Sequence, residues 1–193
     1  AAGKTDKNGE LTVPEVEQTE RHGVYIVGYT DGTFGPSRSM TRSEAAAIFA
    51  RLLAEKNGDT ISTAANTKFT DVPRNAWYSG YVKYLANNGI TYGKSKTIFA
   101  PNDAITRAEF TTMAVRFFDV YGDGDAEIME QFSGFHDVSS GYWAAEYIKY
   151  AALHGWINGY GDGSFHADRE INRAEVVTIV NRLLGREADE DYI

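Results

Sequence analysis

Apolar side chains recur with a helical period in three separate stretches of the chain. Counted from Thr41, Thr106 and Asn172, they stand at +4, +7, +8, +11 and +12. This spacing puts them on one face of a helix. We therefore expect three amphipathic helices that pack as a central three-helix bundle. The apolar residues are Ala45, Ile48, Phe49, Leu52 and Leu53; Phe110, Met113, Ala114, Phe117 and Phe118; and Val176, Ile179, Val180, Leu183 and Leu184.

Each of these stretches begins with the pattern of a capping box. A Thr or Asn at the N-cap accepts a backbone N–H, and a Glu three residues later bonds back to the N-cap N–H. We interpret these residues as structural and expect the three caps at one end of the bundle. The pairs are Thr41 and Glu44, Thr106 and Glu109, and Asn172 and Glu175.

An arginine follows each cap: Arg42, Arg107 and Arg173. A cation here faces the positive end of the helix dipole, which costs roughly 0.3–1 kcal/mol. A repeated arginine beside free backbone N–H groups therefore indicates an anion-binding device. The structural alternative is an ion pair with a neighbouring carboxylate such as Asp71 or Asp137.

The spacing shows that whole modules repeat. The caps at 41, 106 and 172 are 65 and 66 positions apart, and a glycine stands thirteen residues before each: Gly28, Gly93 and Gly159. The second and third modules also share Phe-x-Asp-Val followed by a Trp, at Trp77 and Trp143. From near these Trp residues we expect a shorter helix running to Asn88 and to His154, each stopped by a glycine.

A turn-rich loop separates the two helices of a module. It reads Gly28-Tyr29-Thr30-Asp31-Gly32 in the first module and Gly159-Tyr160-Gly161-Asp162-Gly163 in the third. Asp-Gly favours a turn, so we expect short hairpin-like loops. In the middle module, Lys94 and Lys96 replace the Tyr and the Asp. That loop either loses hydroxyl contacts or gains positive charge for an anion.

The first module departs from the pattern in its upstream half, residues 11–24, which lacks Phe-x-Asp-Val and the Trp. We expect a short or displaced first helix there. The predicted modules are residues 1–58, 59–124 and 125–193, the last with an acidic tail. Each is near the size at which a single core is marginal, so we expect one shared structural domain.

Composition and charge exclude several classes of function. The 193 residues carry a formal charge of −8, which argues against nucleic acid and anionic membranes as partners. The chain has no cysteine, hence no disulfide scaffold and no thiol nucleophile. We expect no metal and no cofactor, and we interpret the acidic cluster from Asp119 to Glu127 as a solvated linker. No apolar run is long enough to span a bilayer and no signal peptide is evident, so we expect an exported protein to contain this chain as a processed form or fragment.

In combination, Phe-x-Asp-Val with Trp, Gly-Tyr-x-Asp-Gly-Ser/Thr-Phe and Ile-Thr-Arg-Ala-Glu resemble the S-layer homology (SLH) module in three tandem copies, over about residues 20–186. The resemblance implies a pseudo-threefold, mainly α-helical unit without enzymatic activity. It implies a monomeric part of a larger bacterial surface protein, extracellular at the cell wall. Its expected partner is a secondary cell-wall polysaccharide, often with ketal-pyruvylated N-acetylmannosamine, and its Thr-Arg-Ala-Glu arginine would meet the anionic sugar in inter-module grooves.

A guanidinium holds a carboxylate in a fork, and an aromatic ring covers the apolar face of a sugar. The candidate ligand-binding residues are accordingly Arg42, Arg107, Arg173, Trp77, Trp143, Tyr29, Tyr160, Asp31, Asp162, Gly28, Gly93, Gly159 and Lys94. The structural alternatives are core packing for the Trp residues and turn formation for the Asp residues. Arg51, Arg116 and Arg182 recur ten positions after each cap, near the helix C-terminus, and we interpret them as structural.

Other functions stay open at this point. A self-assembling module of a surface lattice would be favoured if the cap arginines were buried in intramolecular salt bridges. Direct peptidoglycan binding would survive removal of the secondary polymer from the wall. A wall-degrading enzyme would release reducing sugar, but no catalytic arrangement in the sequence calls for one.

Overall fold

The computed structural model describes residues 24–122 and 132–186, and five α-helices lie in them. No strand is formed within these ranges, and only isolated β-bridges occur there. Residues 11–23 of the first module's upstream half, residues 123–127 of the acidic cluster and the acidic tail from residue 187 lie outside the described residues. Asp119, interpreted from the sequence as part of a solvated linker, lies in a helix. The mainly helical fold is confirmed. The helices are α1 (Arg42–Asn57), α2 (Ser79–Asn87), α3 (Arg107–Tyr121), α4 (Ala145–Leu153) and α5 (Arg173–Leu183).

Complete capping boxes start the three long helices, as predicted. The N-cap side chains of Thr41, Thr106 and Asn172 accept the backbone N–H of the Glu three residues on. The same glutamates accept the N-cap N–H through Oε2, at 2.8, 3.1 and 3.0 Å. These bonds satisfy donors that a helix start otherwise leaves free.

The predicted apolar stripes form one core shared by all three modules. The ring of Phe49 in α1 packs against Phe110 and Phe117 of α3, with centroids 5.2 and 5.1 Å apart. Phe118 and Leu184, the last positions of two stripes, are only partly buried. Helix α3 contacts both α1 and α5, whereas no Cα of α1 lies within 8 Å of a Cα of α5 along these fully described helices. The backbone of α3 therefore lies closer to α1 and to α5 than these two helices lie to each other.

A closed ring of backbone hydrogen bonds joins the residues just before the three caps. Met40 N donates to Ile171 O at 3.0 Å, Ile171 N to Ile105 O at 3.0 Å, and Ile105 N to Met40 O at 2.9 Å. Each module thus donates to one neighbour and accepts from the other. The three long helices therefore begin close together, and the loop of one module lies over the helix start of another.

The short helices α2 and α4 each begin two residues after a Trp. Each ends before a glycine with a left-handed backbone, Gly89 at φ 74° and Gly155 at φ 69°, where other residues are disfavoured. Helix α2 packs on α1, and α4 packs on α3. Trp77 and Trp143 stand at the start of these helices and point outward, 55% and 56% exposed.

Candidate functional site

The three cap arginines are buried at contacts between modules. Arg42, Arg107 and Arg173 are only 4%, 5% and 3% exposed. Each Nε donates to the carbonyl oxygen of a loop phenylalanine in another module, at 2.8–2.9 Å. Those carbonyls belong to Phe99, Phe165 and Phe34 respectively. Each guanidinium also lies over the ring of the same phenylalanine. Each arginine therefore holds the start of one helix against a loop of another module.

A glutamate of the next capping box balances each arginine. The N–O distances are 3.0 Å for Arg42–Glu109, 2.9 Å for Arg107–Glu175 and 3.9 Å for Arg173–Glu44. Each glutamate thus caps its own helix through Oε2 and faces an arginine of another module through Oε1. This explains how a cation is tolerated at each helix start.

Asp71 and Asp137 are not the partners of these arginines. Asp71 accepts the backbone N–H groups of Phe99 and Ala100, at 2.9 and 2.6 Å. Asp137 accepts those of Phe165 and His166, both at 2.7 Å. Burial raises the pKa of Asp137, but the two backbone donors outweigh it and the pKa lies below its ordinary value. Both carboxylates therefore shape the loops onto which the arginines fasten.

The first groove opens between the third and first modules and encloses about 570 Å³. Its floor includes Arg173 and Glu44, and its rim includes Trp77 of the second module. Tyr29 lies beside the floor, and the guanidinium of Arg173 is 4.8 Å from the centre of its ring. The lining residues are Ile26, Val27, Gly28, Tyr29, Thr30, Met40, Glu44, Ala47, Ile48, Arg51, Trp77 and Arg173.

The second groove opens between the second and third modules and encloses about 360 Å³. Eight of the twelve residues lining the first groove have a counterpart 131 positions on among the residues that line this groove. Arg107 takes the place of Arg173. The lining residues are Arg107, Trp156, Ile157, Asn158, Gly159, Tyr160, Asn172, Ala174, Glu175, Thr178, Ile179 and Arg182.

Arg51 and Arg182, interpreted from the sequence as structural, line the first and the second groove. Arg51 is half-buried and donates to Tyr25 O at 3.3 Å. Arg182 is exposed, and its guanidinium makes no hydrogen bond or ion pair with any residue of the described ranges. The recurrence of an arginine ten positions after each cap was the sequence signal for these residues. A position near the end of a helix does not by itself determine whether the side chain faces a groove.

The corresponding surface of the middle module differs. Lys94, at the position of Tyr29 and Tyr160, forms an exposed ion pair with Asp103 at 2.9 Å. Arg116, the counterpart of Arg51 and Arg182, lies 4.7 Å from the ring centre of Tyr92 and 4.9 Å from that of Tyr147. Lys94 is therefore neutralised, and Arg116 is held between two rings. Neither lines the first or the second groove.

The aromatic candidates have different positions. Trp77 lines the first groove, whereas Trp143 lines neither groove although it is equally exposed. Neither is a core anchor. Trp156, which was not among the candidates predicted from the sequence, is 3% exposed and lines the second groove, where its ring stacks on that of His154 at a centroid distance of 5.0 Å. Tyr160 donates to Glu175 Oε1 at 3.3 Å.

The loop aspartates stabilise turns. Asp31 Oδ1 accepts the backbone N–H and the hydroxyl of Thr33, at 2.9 and 2.7 Å. Asp162 Oδ1 accepts the same two groups of Ser164, at 2.9 and 2.6 Å. These hydrogen bonds lower the pKa of both carboxyls. Neither aspartate lines the two grooves, so their predicted ligand contact has no geometric support here.

The loop glycines are required by close packing. A Cβ on Gly159 would stand 2.4 Å from Phe135 Cε1 and 2.6 Å from Ser164 O. One on Gly93 would stand 2.5 Å from both Phe69 Cε1 and Ile98 O. Gly28 is less tight, with 3.1 Å to Thr33 O. Gly28 and Gly159 line the grooves with bare backbone.

No group of three or more His, Cys, Asp or Glu residues in residues 24–122 and 132–186 is arranged to hold a metal ion. No helix among them is long and apolar enough to cross a membrane.

Comparison with known proteins gives three matches to one family model, described as the S-layer homology domain, at residues 12–46, 68–111 and 134–177. The "Cellulosome-anchoring protein" of Acetivibrio thermocellus is 32% identical over 95% of this chain and 40% of its own length. "Cell surface glycoprotein 1" of the same species is 35% identical over 86% of this chain and 7% of its own. The "Surface-layer 125 kDa protein" of Lysinibacillus sphaericus is 33% identical over 82% of this chain and 13% of its own. The chain thus spans less than half the length of these relatives.

Proposed function

The chain belongs to the S-layer homology domain family, and we propose that it anchors a larger bacterial surface protein to the cell wall. The anchoring is non-covalent and takes place at the extracellular cell surface. The bound component is a secondary cell-wall polysaccharide. The names of similar proteins, a cellulosome-anchoring protein and surface-layer proteins, support this role.

The observation that carries the proposal is the pair of equivalent grooves. Each is concave, lies between modules and combines an aromatic side chain, bare glycine backbone and charged groups. Saccharide sites need these elements, because a sugar ring stacks on an aromatic face while its hydroxyls bond to polar groups. Tyr29 and Trp77 supply the aromatic surface in the first groove, and Tyr160 supplies it in the second.

The anionic unit that fits best is ketal-pyruvylated N-acetylmannosamine. Its pyruvyl ketal carries a carboxylate, and each groove contains two arginines and one glutamate, which leaves one positive charge. In this proposal Arg173 and Arg107 form the floor of the two occupied grooves. Arg42 belongs to the middle surface, where Lys94 is neutralised, so we place no ligand there.

We propose no enzymatic activity for this unit. Hydrolysis of a glycosidic bond generally uses two carboxyl groups about 5–10 Å apart. Among the described residues, each groove is lined by a single carboxylate, Glu44 or Glu175, and that group already serves a helix cap and an arginine.

Co-sedimentation with purified cell walls tests the proposal. We expect the chain to pellet with intact walls and to stay in solution once the secondary polymer has been extracted chemically. Trp77→Ala should weaken the pelleting. Trp143→Ala is the matched control, because that Trp is equally exposed but lines neither groove. Undiminished binding to stripped walls would contradict the proposal and indicate peptidoglycan as the partner.

Burial of the cap arginines favours a second candidate, a structural module that assembles within a surface lattice. Three buried arginines paired with glutamates inside one chain contribute to holding modules together. This candidate requires the purified chain to self-associate without wall material. Sedimentation velocity over a wide concentration range separates the two, since a polymer-binding anchor stays monomeric.

A further inference from the structure

We propose that Arg51 and Arg182, ten positions into α1 and α5, meet the carboxylate of the ligand in the first and second grooves. The inference rests on the proposed function and assigns the anion contact within it. It moves that contact away from Arg173 and Arg107, to which the sequence pattern had pointed.

The cap arginines are already occupied by protein groups. Arg107 donates from Nε to Phe165 O, from Nη1 to Glu175 and from Nη2 to Asn158 O, at 2.9, 2.9 and 3.3 Å. Its side chain is 6% exposed. Because the Glu175 carboxylate balances its charge, a ligand carboxylate approaching Arg107 would also approach that glutamate. Arg107 therefore serves better as a fixed part of the groove than as the anion contact.

Arg173 is held in the same way in the first groove. It donates to Phe34 O at 2.9 Å and to Val27 O at 2.7 Å, and Glu44 lies 3.9 Å from Nη1. Its side chain is 3% exposed. A ligand has little access to it, and the two carbonyl contacts fix its position.

Arg51 and Arg182 lack a carboxylate partner among the described residues. Arg182 is exposed on the wall of the second groove, and its guanidinium makes no hydrogen bond to that part of the chain. Arg51 makes one long hydrogen bond, 3.3 Å to Tyr25 O, and lies 5.1 Å from the ring centre of Tyr81. Each keeps guanidinium donors free for a bidentate pair with a carboxylate.

Charge supports the same assignment. The whole chain carries −8, yet each groove has one positive charge more than it has negative charges. In the first groove Arg173 and Glu44 balance one another, so the excess charge is that of Arg51. In the second groove Glu175 is shared by Arg107 and by Arg169, which does not line the groove, and Arg182 adds a further positive charge. A local excess of positive charge in a concave, partly desolvated site attracts an anion despite the acidic surroundings.

Arg116, the corresponding arginine of the middle module, differs from Arg51 and Arg182. Arg116 donates to Tyr147 Oη from Nε and Nη2, at 3.3 and 3.1 Å, and lies near the rings of both Tyr92 and Tyr147. Two aromatic neighbours and a hydroxyl thus engage this guanidinium. The inference therefore predicts two carboxylate sites in the described part of the chain, not three.

Titration calorimetry of the intact chain tests this with two probes. These are the methyl glycoside of ketal-pyruvylated N-acetylmannosamine and the same sugar without pyruvate. The wild-type chain should prefer the pyruvylated probe and bind it at two sites. Arg51→Ala and Arg182→Ala should each remove one such site or lower its affinity for the pyruvylated probe by roughly 10- to 100-fold. Affinity for the sugar without pyruvate should stay the same.

Arg116→Ala is the matched control and should leave both affinities unchanged. Arg51→Gln and Arg182→Gln keep most of the side chain and should lose the same preference, which guards against an effect on folding. If the double variant of Arg51 and Arg182 still prefers the pyruvylated probe, the inference is wrong and the anchoring role is unaffected. The same holds if the variants lose affinity equally for both probes. A wild-type chain with no preference would refute the carboxylate ligand itself.

Discussion

The glutamates of the capping boxes allow a graded test of how the modules are held together. Glu175 and Glu44 each cap a helix through Oε2, at 3.0 and 2.8 Å from the N-cap nitrogen. Substitution by Gln keeps an oxygen for this cap bond and removes the charge. Glu44→Gln therefore reports on the inter-module ion pair rather than on the helix cap, whereas Glu175→Gln removes the inter-module pair together with a contact to Arg169 of its own module.

The expected losses follow from the two distances. At an effective dielectric constant of about 20, the attraction at 2.9 Å exceeds that at 3.9 Å by about 1.5 kcal/mol. Only the shorter pair, with Arg107, is also a hydrogen bond, which contributes about 1 kcal/mol more. Removing one partner of a buried pair costs about 3–5 kcal/mol. Because both glutamates are partly exposed, we expect about 3 kcal/mol for Glu175→Gln and about 1 kcal/mol for Glu44→Gln.

Equilibrium unfolding in urea at low ionic strength measures these losses. Glu109→Gln, whose pair with Arg42 is 3.0 Å long, should fall between the other two or match Glu175→Gln. Glu146→Gln on the exposed first turn of α4 is the control and should change the free energy of unfolding by less than about 0.5 kcal/mol. Equal losses for Glu175→Gln and Glu44→Gln would refute the assignment of the stability to the ion-pair geometry.

Two further predictions concern the loops. Gly159→Ala should lower the free energy of unfolding by about 1–3 kcal/mol because its Cβ would overlap Phe135. Gly28→Ala should lower it by clearly less, because the nearest atom to its Cβ would be 3.1 Å away. Thermal unfolding compares the two variants, and equal losses would contradict the packing argument. Asp137 has a lowered pKa, so its contribution is present above the ordinary value of 3.8 and is lost as the pH falls through the lower folded-state pKa. Asp137→Asn should therefore be less stable than the wild type at pH 7 and approach it in strong acid, and a difference that persists at low pH would contradict this.

Features that depend on nearby residues were predictable from the sequence. The capping boxes at Thr41, Thr106 and Asn172, the buried helix faces and the glycine stops at Gly89 and Gly155 are all confirmed. Each involves residues within about one or two helical turns of one another, so spacing alone defines their geometry. The assignment to the S-layer homology family rested on the same local patterns and is confirmed.

Features that depend on distant residues were not predictable in this way. The carboxylate that pairs with Arg107 is 68 positions away, and the carbonyl that fixes Arg173 is 139 positions away. Nearness to Asp71 or Asp137 in the repeat suggested the wrong partners. The position of Arg182 on a groove was not predictable either, because it depends on residues of another module. A cation near a helix C-terminus is stabilised by the helix dipole whether or not it faces a groove.

By itself the sequence determined that three modules exist, where their long helices begin, and which residues of those helices are buried. The tertiary structure decided which modules touch, and through that contact it changed the role of the repeated arginine. Arg107 is neutralised by Glu175 only because the second and third modules meet. Local periodicity encodes the faces of a helix, whereas an ion pair between modules depends on how those faces are brought together, and that follows from packing the whole core.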